Sequence, residues 1–317
     1  MKKLLSPADV LRRRDQRRRK ALHARLLFGR SLLTVIAAAI ALVFLLPTVL
    51  TFTNSFMSGT ELASNYGMIF SNITASGSGK TFIAQEITLK FIPDMVSAQQ
   101  YLDALFKTPE YLLKFWNSTI LVVPIVVFQL FVAAFAAYGF ARWRGKLKSI
   151  IFFLYVILML MPYQVTLVPN YLVSDWLGIL ETRWAIWLPG IFSPFSVYIL
   201  TKYMRRIPSA YIEAAKLDGA NEWQVFLRVA MPLCQGALFS VAIVVFIDYW
   251  NMVEQPLILL TDPDLQPLSV FLSQVNTGDA GLAFAVATIY MVPTLLLFLY
   301  GEDYLVEGIA YAGGIKG

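Results

Sequence analysis

Six stretches of this chain contain no Asp, Glu, Lys or Arg and are long enough to cross a lipid bilayer. They are approximately Leu32–Phe52, Phe115–Ala141, Ser149–Ser174, Trp184–Thr201, Val229–Ile247 and Ala280–Gly301. Each is close to the roughly 20 residues that an α-helix needs to cross the hydrocarbon core. Their apolar residues are continuous rather than alternating, which favours helices over the strands of a barrel. The pattern predicts an all-α polytopic membrane protein with six transmembrane helices.

The composition agrees with a membrane protein and excludes several kinds of site. Of the 317 residues, 58% are hydrophobic and 15% are charged, whereas a soluble domain carries about 25% charged residues. Cys234 is the only cysteine, which excludes an internal disulfide and a cysteine-cluster metal site. His23 is the only histidine and lies in a basic tail, which argues against histidine-based catalysis. We therefore expect no catalytic, cofactor-binding or metal-binding residues on this chain.

The Lys and Arg residues divide unequally between the two sides of the predicted membrane. Of the 26, eleven precede the first span, four lie between the second and third spans, five between the fourth and fifth, and one at the C-terminus. Because cytoplasmic loops are enriched in these residues, both termini are predicted to be cytoplasmic. The basic tail has two interpretations. It can bind nucleic acid, or it can lie on anionic lipid headgroups, which we favour next to a first span.

This scheme divides the chain into five parts. They are a basic cytoplasmic tail or interfacial helix (1–31), the first span (32–52), an extracytoplasmic loop (53–114), a core of five spans (115–301) and a cytoplasmic C-terminal tail (302–317). The core contains one long polar interruption, residues 207–233, which we call the central loop. The extracytoplasmic loop is too small for a robust independent domain, so we expect it to lean on the spans or on a partner.

Two features of the extracytoplasmic loop need interpretation. Ser97–Phe106 predicts a short amphipathic helix. The residues that share its apolar face are Ala98, Tyr101, Leu102 and Leu105. The GSGKT sequence of Gly77–Thr81 resembles the end of a phosphate-binding loop, but the full motif requires a glycine where this chain has Thr74. We interpret it as a flexible turn and not as a nucleotide site.

The first half of the central loop predicts a short helix that ends at a glycine. Pro208 suits the first turn of a helix, because its missing N–H would have no partner there. Ser209 can cap that helix. Tyr211, Ile212, Ala215 and Lys216 then follow helical spacing. Gly219 can adopt the positive φ that ends a helix, so it predicts a hinge between two helices.

The second half of the central loop predicts another helix, over Glu222–Ala230. Asn221 can cap it, and Gln224, three residues later, can bond back to Asn221 in a variant of the capping box. Pro232 is predicted to mark the start of the fifth span. The central loop is therefore structured, which is unusual for a polar connection between spans.

The residue types of the first helix favour contact with another protein. Ala214 and Ala215 leave room for a close approach, and Glu213 and Asp218 offer carboxylates to basic residues of a partner. Gly219 would join the docked helix to the next span. The alternative is an amphipathic helix that rests on lipid. Its apolar face is weak and its acids would be repelled by anionic headgroups, so we favour docking.

The central loop resembles the EAA loop of bacterial ATP-binding-cassette importers. The resemblance rests on Glu213-Ala214-Ala215, then Gly219, then Pro232 between hydrophobic residues, at the right place between the fourth and fifth of six spans. The sequence Glu-Ala-Ala-X-X-Asp-Gly-Ala resembles the carbohydrate-importer permeases, the maltose-type "G" subunit group. Other matching pieces are Asn117-Ser118, Ala137-Tyr138 with Arg142, Met161-Pro162, Trp250-Asn251 with Pro256-Leu257, Tyr304–Gly308 and Gly313–Gly317.

The resemblance implies a type I importer permease fold and a transport function in the bacterial cytoplasmic membrane. It implies a second permease subunit, two ATP-binding subunits, an extracytoplasmic solute-binding protein and a sugar substrate. ATP and Mg would bind to the ATPase subunits, so this chain would not be an enzyme. The residues that it implies for ATPase coupling are Glu213, Ala214, Ala215, Asp218, Gly219 and Pro232. Glu302 and Asp303 depart from the family, which commonly has Gln and a basic residue there.

Polar residues in or beside the spans are candidates for a sugar pathway. They are Gln129, Tyr163, Gln164, Asp248, Trp250 and Asn251, with Asn170 nearby. Sugars need hydrogen-bond partners and aromatic faces, and residues 248–251 supply both. Tyr and Trp are also enriched at membrane interfaces, and single polar groups often only join helices. Met161-Pro162 predicts a kink. A small-residue face for close helix packing is predicted from Ala133, Ala134, Ala136, Ala137 and Gly139.

Three other functions remain as alternatives. An importer permease for a non-sugar solute differs from the favoured function only in its substrate. An ion-coupled secondary carrier would more naturally place ionisable residues in mid-span and show paired repeats, neither of which is evident here. A membrane-embedded sugar transferase would need an acid–base or metal constellation on one side, and the carboxylates are scattered. The identity of the sugar cannot be read from the residues.

Overall fold

The computed structural model describes residues 7–62, 64–65, 89–107, 109–143, 145–274 and 280–312. Within these ranges the chain is all-α, as predicted. The helices are α1 (Pro7–Asn54), α2 (Gln99–Leu102), α3 (Pro109–Arg142), α4 (Lys146–Met159), α5 (Tyr163–Trp176), α6 (Trp184–Ile191), α7 (Pro194–Met204), α8 (Ser209–Leu217), α9 (Glu222–Val225), α10 (Met231–Leu233), α11 (Gln235–Trp250), α12 (Glu254–Leu259), α13 (Leu268–Ser273) and α14 (Ala280–Ala312). The GSGKT turn and the Gly313–Gly317 ending lie outside the described residues.

Four stretches of the described chain are long and apolar enough to cross a membrane as single units. They are Gly29–Asn54, Pro109–Arg142, Trp184–Met204 and Gly281–Tyr304. Two bent pairs, α4 with α5 and α9–α10 with α11, raise the number to six if each pair is one span. Length and composition thus allow the six spans that the hydropathy pattern predicts.

The third predicted span is broken more sharply than a kink. Helices α4 and α5 meet at an angle of 101° around Met161-Pro162. Pro162 has ψ of 140° and stands directly before α5. Because proline has no N–H to continue the helical bonding of α4, the chain turns there and a new helix starts. The site of the bend was predictable from Pro162, but its size was not.

The fifth predicted span, Val229–Ile247, is bent rather than straight in the structure. Helix α9 continues through a π-helical turn, Phe226–Ala230, into α10, and the chain then bends by 74° at Cys234. Only α11 runs on as a straight helix to Trp250. Within the apolar run 229–233, Ala230 is fully buried in the protein, whereas Pro232 and Leu233 are exposed. Hydropathy alone cannot distinguish burial in protein from burial in lipid.

The two predicted tails are continuous with their neighbouring spans. Helix α1 runs without a break from Pro7 to Asn54, so the structure has no separate interfacial helix ending at residue 31. Helix α14 likewise runs past residue 301 to Ala312. Between Gly29 and Asn54 the most apolar window of α1 has no buried residue, which leaves this helix open to lipid or to another subunit.

The main core lies between α3, α7 and α11. Ala133, Ala134 and Ala137 of α3 are buried there, which confirms part of the predicted small-residue face. Gly139 is exposed and Ala136 is half-buried, so the prediction is wrong for Gly139. The buried alanines are spaced at i, i+1 and i+4, a stripe of one helical face that allows close helix packing.

The amphipathic stretch of the extracytoplasmic loop is helical but packs on a different face. The Tyr101 hydroxyl is hydrogen-bonded to the Ser55 hydroxyl at 2.6 Å, as expected of a residue facing the protein. Leu102 and Leu105 are exposed, however, and Ala104 is buried instead. The π-helical turn Asp103–Lys107, whose wider turn shifts the helical phase, accounts for Ala104 and Leu105 but not for Leu102, which precedes it.

Glu61 fastens residues 89–96 to the described part of the chain that follows α1. Its carboxylate accepts the amide of Asp94 at 2.8 Å and that of Met95 at 3.2 Å, and it pairs with Lys90 at 3.2 Å. These contacts, the Asp94 amide first, hold the pKa of Glu61 below its ordinary value. Their stabilisation is therefore complete above the ordinary carboxyl pKa and is lost as the pH falls through the depressed one.

We expect acid to open this contact. Below about pH 4.3, the ordinary glutamate pKa, hydrogen exchange of the Asp94 and Met95 amides should rise relative to the same amides in E61Q. The Gln variant keeps the shape but has no charge to lose, so it corrects for the intrinsic pH dependence of exchange. Equal pH dependence in both proteins would show that the Glu61 charge does not hold this loop.

Candidate functional site

The central loop begins one residue differently from its prediction. Helix α8 starts at Ser209, and Pro208 occupies the flanking position with φ of −58° and ψ of 135°. No side chain caps this end, so the prediction that Ser209 caps α8 is wrong. The extended ψ of Pro208 places Ser209 inside the first turn, where its backbone is helical. Proline still starts the helix because its fixed φ sets the direction of the chain.

Gly219 ends α8 with the backbone conformation predicted from the sequence. Its φ is +84°, and the Ala220 amide donates to Ala215 O at 3.0 Å while the Gly219 amide donates to Lys216 O at 3.0 Å. This pair of bonds is the Schellman motif, in which the carbonyls at a helix end are satisfied locally. A Cβ at Gly219 would meet no atom within 4 Å. The glycine is therefore required by its dihedral angle and not by crowding.

The second half of the loop starts at the predicted capping box. The Asn221 side chain accepts the Gln224 amide at 2.8 Å, and the Gln224 side chain accepts the Asn221 amide at 2.9 Å. Two of the amides that a helix start leaves unpaired are thereby satisfied. Pro232 lies in α10, two residues before the bend at Cys234, and is exposed.

Aromatic stacking holds the second half of the loop on α3. The ring of Phe135 stacks on Trp223 at 5.3 Å and on Phe226 at 4.8 Å between centroids. Phe226 is buried, as is Val225. Offset aromatic contacts of this kind add about 0.5–1.5 kcal/mol each beyond the area they bury. Helix α9 is thus anchored in the protein core.

A polar contact at the end of α3 reinforces this anchor. The Tyr138 hydroxyl donates to Glu222 Oε2 at 2.8 Å, and Lys216 pairs with the other oxygen of Glu222. Glu222 therefore receives contacts from α3 and from α8 at once. Since Lys216 lies before the Gly219 turn and Glu222 after it, the ion pair also fixes the angle between the two halves of the loop.

Helix α8 is bound to the rest of the chain along one edge only. Ile212 is buried at 3% exposure, and Ala215, which shares its side of the helix, is half-buried. Glu213, Ala214 and Asp218 are exposed. The structure thus places the predicted coupling residues on a protruding helix, with Ala214 rather than Ala215 at the centre of its open face.

Leu217 is a residue of this face that the sequence analysis missed. Its side chain is 89% exposed at the end of α8, one turn after Glu213. A leucine with this exposure, outside the apolar spans, has no stabilising role in the described chain. The available signal was its spacing: Leu217 falls four residues after Glu213, on the side of the helix away from Ile212.

A cleft of about 420 Å³ lies beside α8. Its wall includes the chain before and at the start of α8, the chain around Cys234, and Tyr304 of α14. The cleft separates α8 from α11 over part of its length. Helix α8 therefore borders open space on this side near its start, as well as along its exposed face.

Two of the sugar-pathway candidates lie inside the protein. Gln129 is 1% exposed and donates to the Ser196 hydroxyl at 2.7 Å, joining α3 to α7. Trp250 is 2% exposed, stacks on Tyr290 at 5.5 Å and donates its indole N–H to Tyr290 O at 3.1 Å. Since both side chains are covered by this chain itself, a solute cannot contact them in this conformation. Their polar groups join helices instead.

The other candidates have open surfaces. Gln164, at the start of α5, is exposed and donates to Glu254 Oε2 at 3.3 Å. Asp248 and Asn251 are exposed at the end of α11, where Asn251 accepts the Tyr290 hydroxyl at 3.0 Å. Tyr163, like Asn170, is half-buried. The hydrogen bond between Gln164 and Glu254 shows that the break in the third span lies next to α12. The two residues are 90 positions apart, so the sequence pattern gave no indication of this contact.

Residues 129–309 match the family described as "Binding-protein-dependent transport system inner membrane component", and the match covers more than half of the chain. The chain belongs to this family. The family consists of membrane permease subunits of ABC importers, in which separate subunits hydrolyse ATP. The permease is therefore a multi-pass inner membrane component, as predicted.

Individual relatives agree with this assignment. The permease is 28% identical over 291 residues to the arabinooligosaccharides transport system permease protein AraQ of Halalkalibacterium halodurans, covering 90% of this chain and 96% of AraQ. A bacterial ABC transporter involved in the import of the acidic polysaccharide alginate has a similar fold, with a TM-score of 0.68, 21% identity, and coverage of 95% of this chain and 99% of that one. A bacterial alginate ABC transporter in complex with alginate pentasaccharide-bound periplasmic protein matches with a TM-score of 0.53 and 15% identity over 66% of this chain and 82% of that one.

Proposed function

We propose that this permease belongs to an ATP-driven importer of an oligosaccharide and that α8 receives the motion of a separate ATPase subunit. The observation that carries the proposal is the unequal attachment of the central loop. Helix α9 and the turn after it are anchored on α3 by stacked aromatic rings, of which Phe226 is buried, whereas α8 protrudes with Leu217 89% exposed. A protruding helix on a firm base can accept a partner and pass its displacement to the spans.

The Gly219 turn is the joint through which this displacement would pass. It is closed by backbone bonds within residues 214–220 and braced by the Lys216–Glu222 ion pair. Because Glu222 is also bonded to Tyr138, a push on α8 reaches α3 directly. The same push reaches α11 through the bend at Cys234. The residues proposed for ATPase coupling are those of the exposed face, with Leu217 added.

The proposed assembly contains several other chains. It comprises a second permease subunit, two ATP-binding subunits that hold ATP and Mg, and an extracytoplasmic solute-binding protein. The excess of Lys and Arg in the tail and in the whole connection between the fourth and fifth spans supports a cytoplasmic position for both termini and for α8. The alginate transporter in complex with its periplasmic protein supports a binding-protein partner on the other side.

An oligosaccharide is the proposed cargo. AraQ is named for arabinooligosaccharides, and the alginate importer takes up a polysaccharide. The exposed polar groups of Gln164, Asp248 and Asn251 supply the hydrogen-bonding capacity that a sugar pathway needs. Thermal-shift measurements on the cognate solute-binding protein with a glycan panel test this choice. Stabilisation only by a non-sugar solute would overturn it.

Co-purification tests the assembly. The tagged permease should bring down an ATPase subunit and a second permease, and Ala214→Trp should reduce the ATPase recovered at least tenfold, because an indole on the open face blocks a close approach. Glu213→Ala should have a smaller effect, since an exposed ion pair contributes under about 1 kcal/mol. ATP-driven sugar uptake in proteoliposomes should fall in the same order.

A change outside the open face provides the comparison. Leu89→Trp adds an indole to the extracytoplasmic loop, at a residue that is 62% exposed, and should leave ATPase recovery unchanged. Recovery of the second permease reports whether each variant is folded. Equal ATPase recovery with A214W and with the unaltered chain would place the docking surface elsewhere.

A further inference from the structure

A polar cluster at the first turns of α3 holds the segment after α11. Asn117 is buried, and its side-chain N–H groups donate to Asp264 O at 2.6 Å and Gln266 O at 3.2 Å. Its Oδ1 accepts the Arg183 guanidinium at 2.9 Å. One side chain thus joins α3, the chain before α6, and the 251–274 segment, which contains α12 and α13. We call these contacts, with those of Lys114 and Ser118, the polar latch.

Two neighbours of Asn117 complete the polar latch. Lys114 is buried and donates to Pro263 O at 3.1 Å. The Ser118 hydroxyl accepts the Leu268 amide at 2.9 Å. Because these donors and acceptors are shielded from water, opening the latch would leave polar groups unpaired at about 1–3 kcal/mol each. The 251–274 segment is therefore fixed to α3.

Glu181 secures the same segment from another direction. Its carboxylate accepts the Thr261 hydroxyl at 2.7 Å and the Thr261 amide at 2.8 Å. Among the described residues, Glu181 is also the one non-glycine residue with a positive φ, which is +60°. Strained backbone of this kind persists only where surrounding contacts hold it. The 251–274 segment cannot shift relative to α3 without breaking several bonds at once.

The opposite end of α3 holds the central loop. Tyr138 donates to Glu222, and Phe135 stacks on Trp223 and Phe226. Tyr138 lies 21 residues after Asn117, which is about 31 Å along a helix. This distance is close to the roughly 30 Å of the hydrocarbon core. The two sets of contacts are therefore far enough apart along α3 to lie on opposite sides of a membrane.

The helix between these ends is continuous and firmly packed. Helix α3 spans Pro109–Arg142 without a break, although Pro124 lies inside it. Leu121, Ile125, Ala133 and Ala137 are buried in the main core, to which α7 and α11 also contribute. A helix supported in this way along its length moves as one body, in contrast to the span broken between α4 and α5.

We infer that α3 is a rigid strut that joins the 251–274 segment to the central loop, with Asn117 and Tyr138 as the positioning residues at its two ends. Under the proposed function, on which the direction of signalling rests, an event at the 251–274 segment reaches the ATPase through this strut. A displacement of the 251–274 segment moves Glu222 and the Gly219 turn with it, and motion of α8 is returned to the 251–274 segment. Thermodynamic coupling of this kind is reciprocal.

Hydrogen exchange on the full permease in nanodiscs tests the strut. Tyr138→Phe should speed exchange of the amides of residues 222–226 about tenfold by removing a charge-assisted bond. Asn117→Leu should speed exchange of the same amides at least threefold from the other end of α3. Reciprocally, Y138F should speed exchange of residues 264–268. Independent sites this far apart would show no cross effect.

A neighbouring substitution separates the strut from general loosening. Among the described residues the Thr119 hydroxyl bonds to Phe115 O within α3 and to no other helix, so Thr119→Val should leave exchange at both ends unchanged. Should N117L fail to fold, Ser118→Ala removes a single latch bond and should give the same cross effect at smaller size. The inference is overturned if N117L changes hydrogen exchange only at residues 263–268 and Y138F changes it only at residues 222–226. The rates are read on this chain, so they decide the strut whether or not an ATPase co-purifies.

Discussion

Leu217→Asp should abolish ATP-driven uptake while leaving the permease inserted and folded. The side chain is 89% exposed, so its loss removes no internal packing. If a partner covers it, the substitution forfeits about 1.5–3 kcal/mol of apolar burial, and an unpaired carboxylate in the interface costs several kcal/mol more. Every 1.4 kcal/mol is about tenfold in affinity, so ATPase binding should fall by at least two orders of magnitude.

The measurements are ATPase recovery with the tagged permease and uptake into proteoliposomes. Leu89→Asp is the matched control, because Leu89 is an exposed leucine of the extracytoplasmic loop. It introduces the same charge and should leave ATPase recovery intact. Full recovery with L217D would remove Leu217 from the docking face and return the open surface of α8 to lipid or solvent.

Gly219→Val should strongly reduce ATP-driven uptake, although valine has a small side chain. The native φ of +84° is closed to a β-branched residue, so valine must either strain the turn or change the angle between α8 and α9. The strain is about 1–2 kcal/mol in the left-handed region and larger for a branched side chain. We expect uptake to fall at least tenfold with normal amounts of protein in the membrane, because α8 would be misdirected.

Gly219→Asn separates backbone conformation from side-chain bulk. Asparagine tolerates the left-handed region, and a Cβ at this site meets nothing within 4 Å. G219N should therefore keep most of the uptake and G219V should not. If the two variants transport equally well, the dihedral angle of Gly219 has no part in coupling and the turn is merely a connection.

The sequence was a good guide wherever one local rule decides the structure. The uncharged runs located the spans because lipid requires long apolar helices. The Asn221–Gln224 capping box and the positive φ of Gly219 were predictable because each depends on residues within one turn. Pro162 likewise marked the bend between α4 and α5.

The sequence was a poor guide wherever tertiary packing decides. The bend at Cys234 lies inside an apolar run in which Phe226 and Ala230 are buried in the protein rather than in lipid. The predicted apolar face of residues 97–106 was wrong after Leu102 because a π-helical turn alters the helical phase there. Ser209 was wrongly predicted as a cap, because the residue at which α8 starts depends on the ψ of Pro208. That angle places Ser209 inside the first turn of the helix.

The candidate site divides in the same way. The proposed coupling residues were predicted from a local motif, but the open position of Ala214 and the exposure of Leu217 depend on how α8 sits against its neighbours. Gln129 and Trp250 were predicted as sugar contacts because a polar or aromatic residue in a span can either bind a solute or join two helices. Only their contacts with Ser196 and Tyr290 distinguish a helix-joining group from a lining group.

The self-contained closure of the Gly219 turn makes residues 209–218 an exchangeable cassette. Its backbone bonds stay within residues 214–220, and Ile212 is its main seat in the core. A chimaera that keeps Ile212, Lys216 and Gly219 can carry the open face of another permease without disturbing the membrane core. Under the proposed function, the ATPase that a permease recognises can therefore change without a change in its transport pathway.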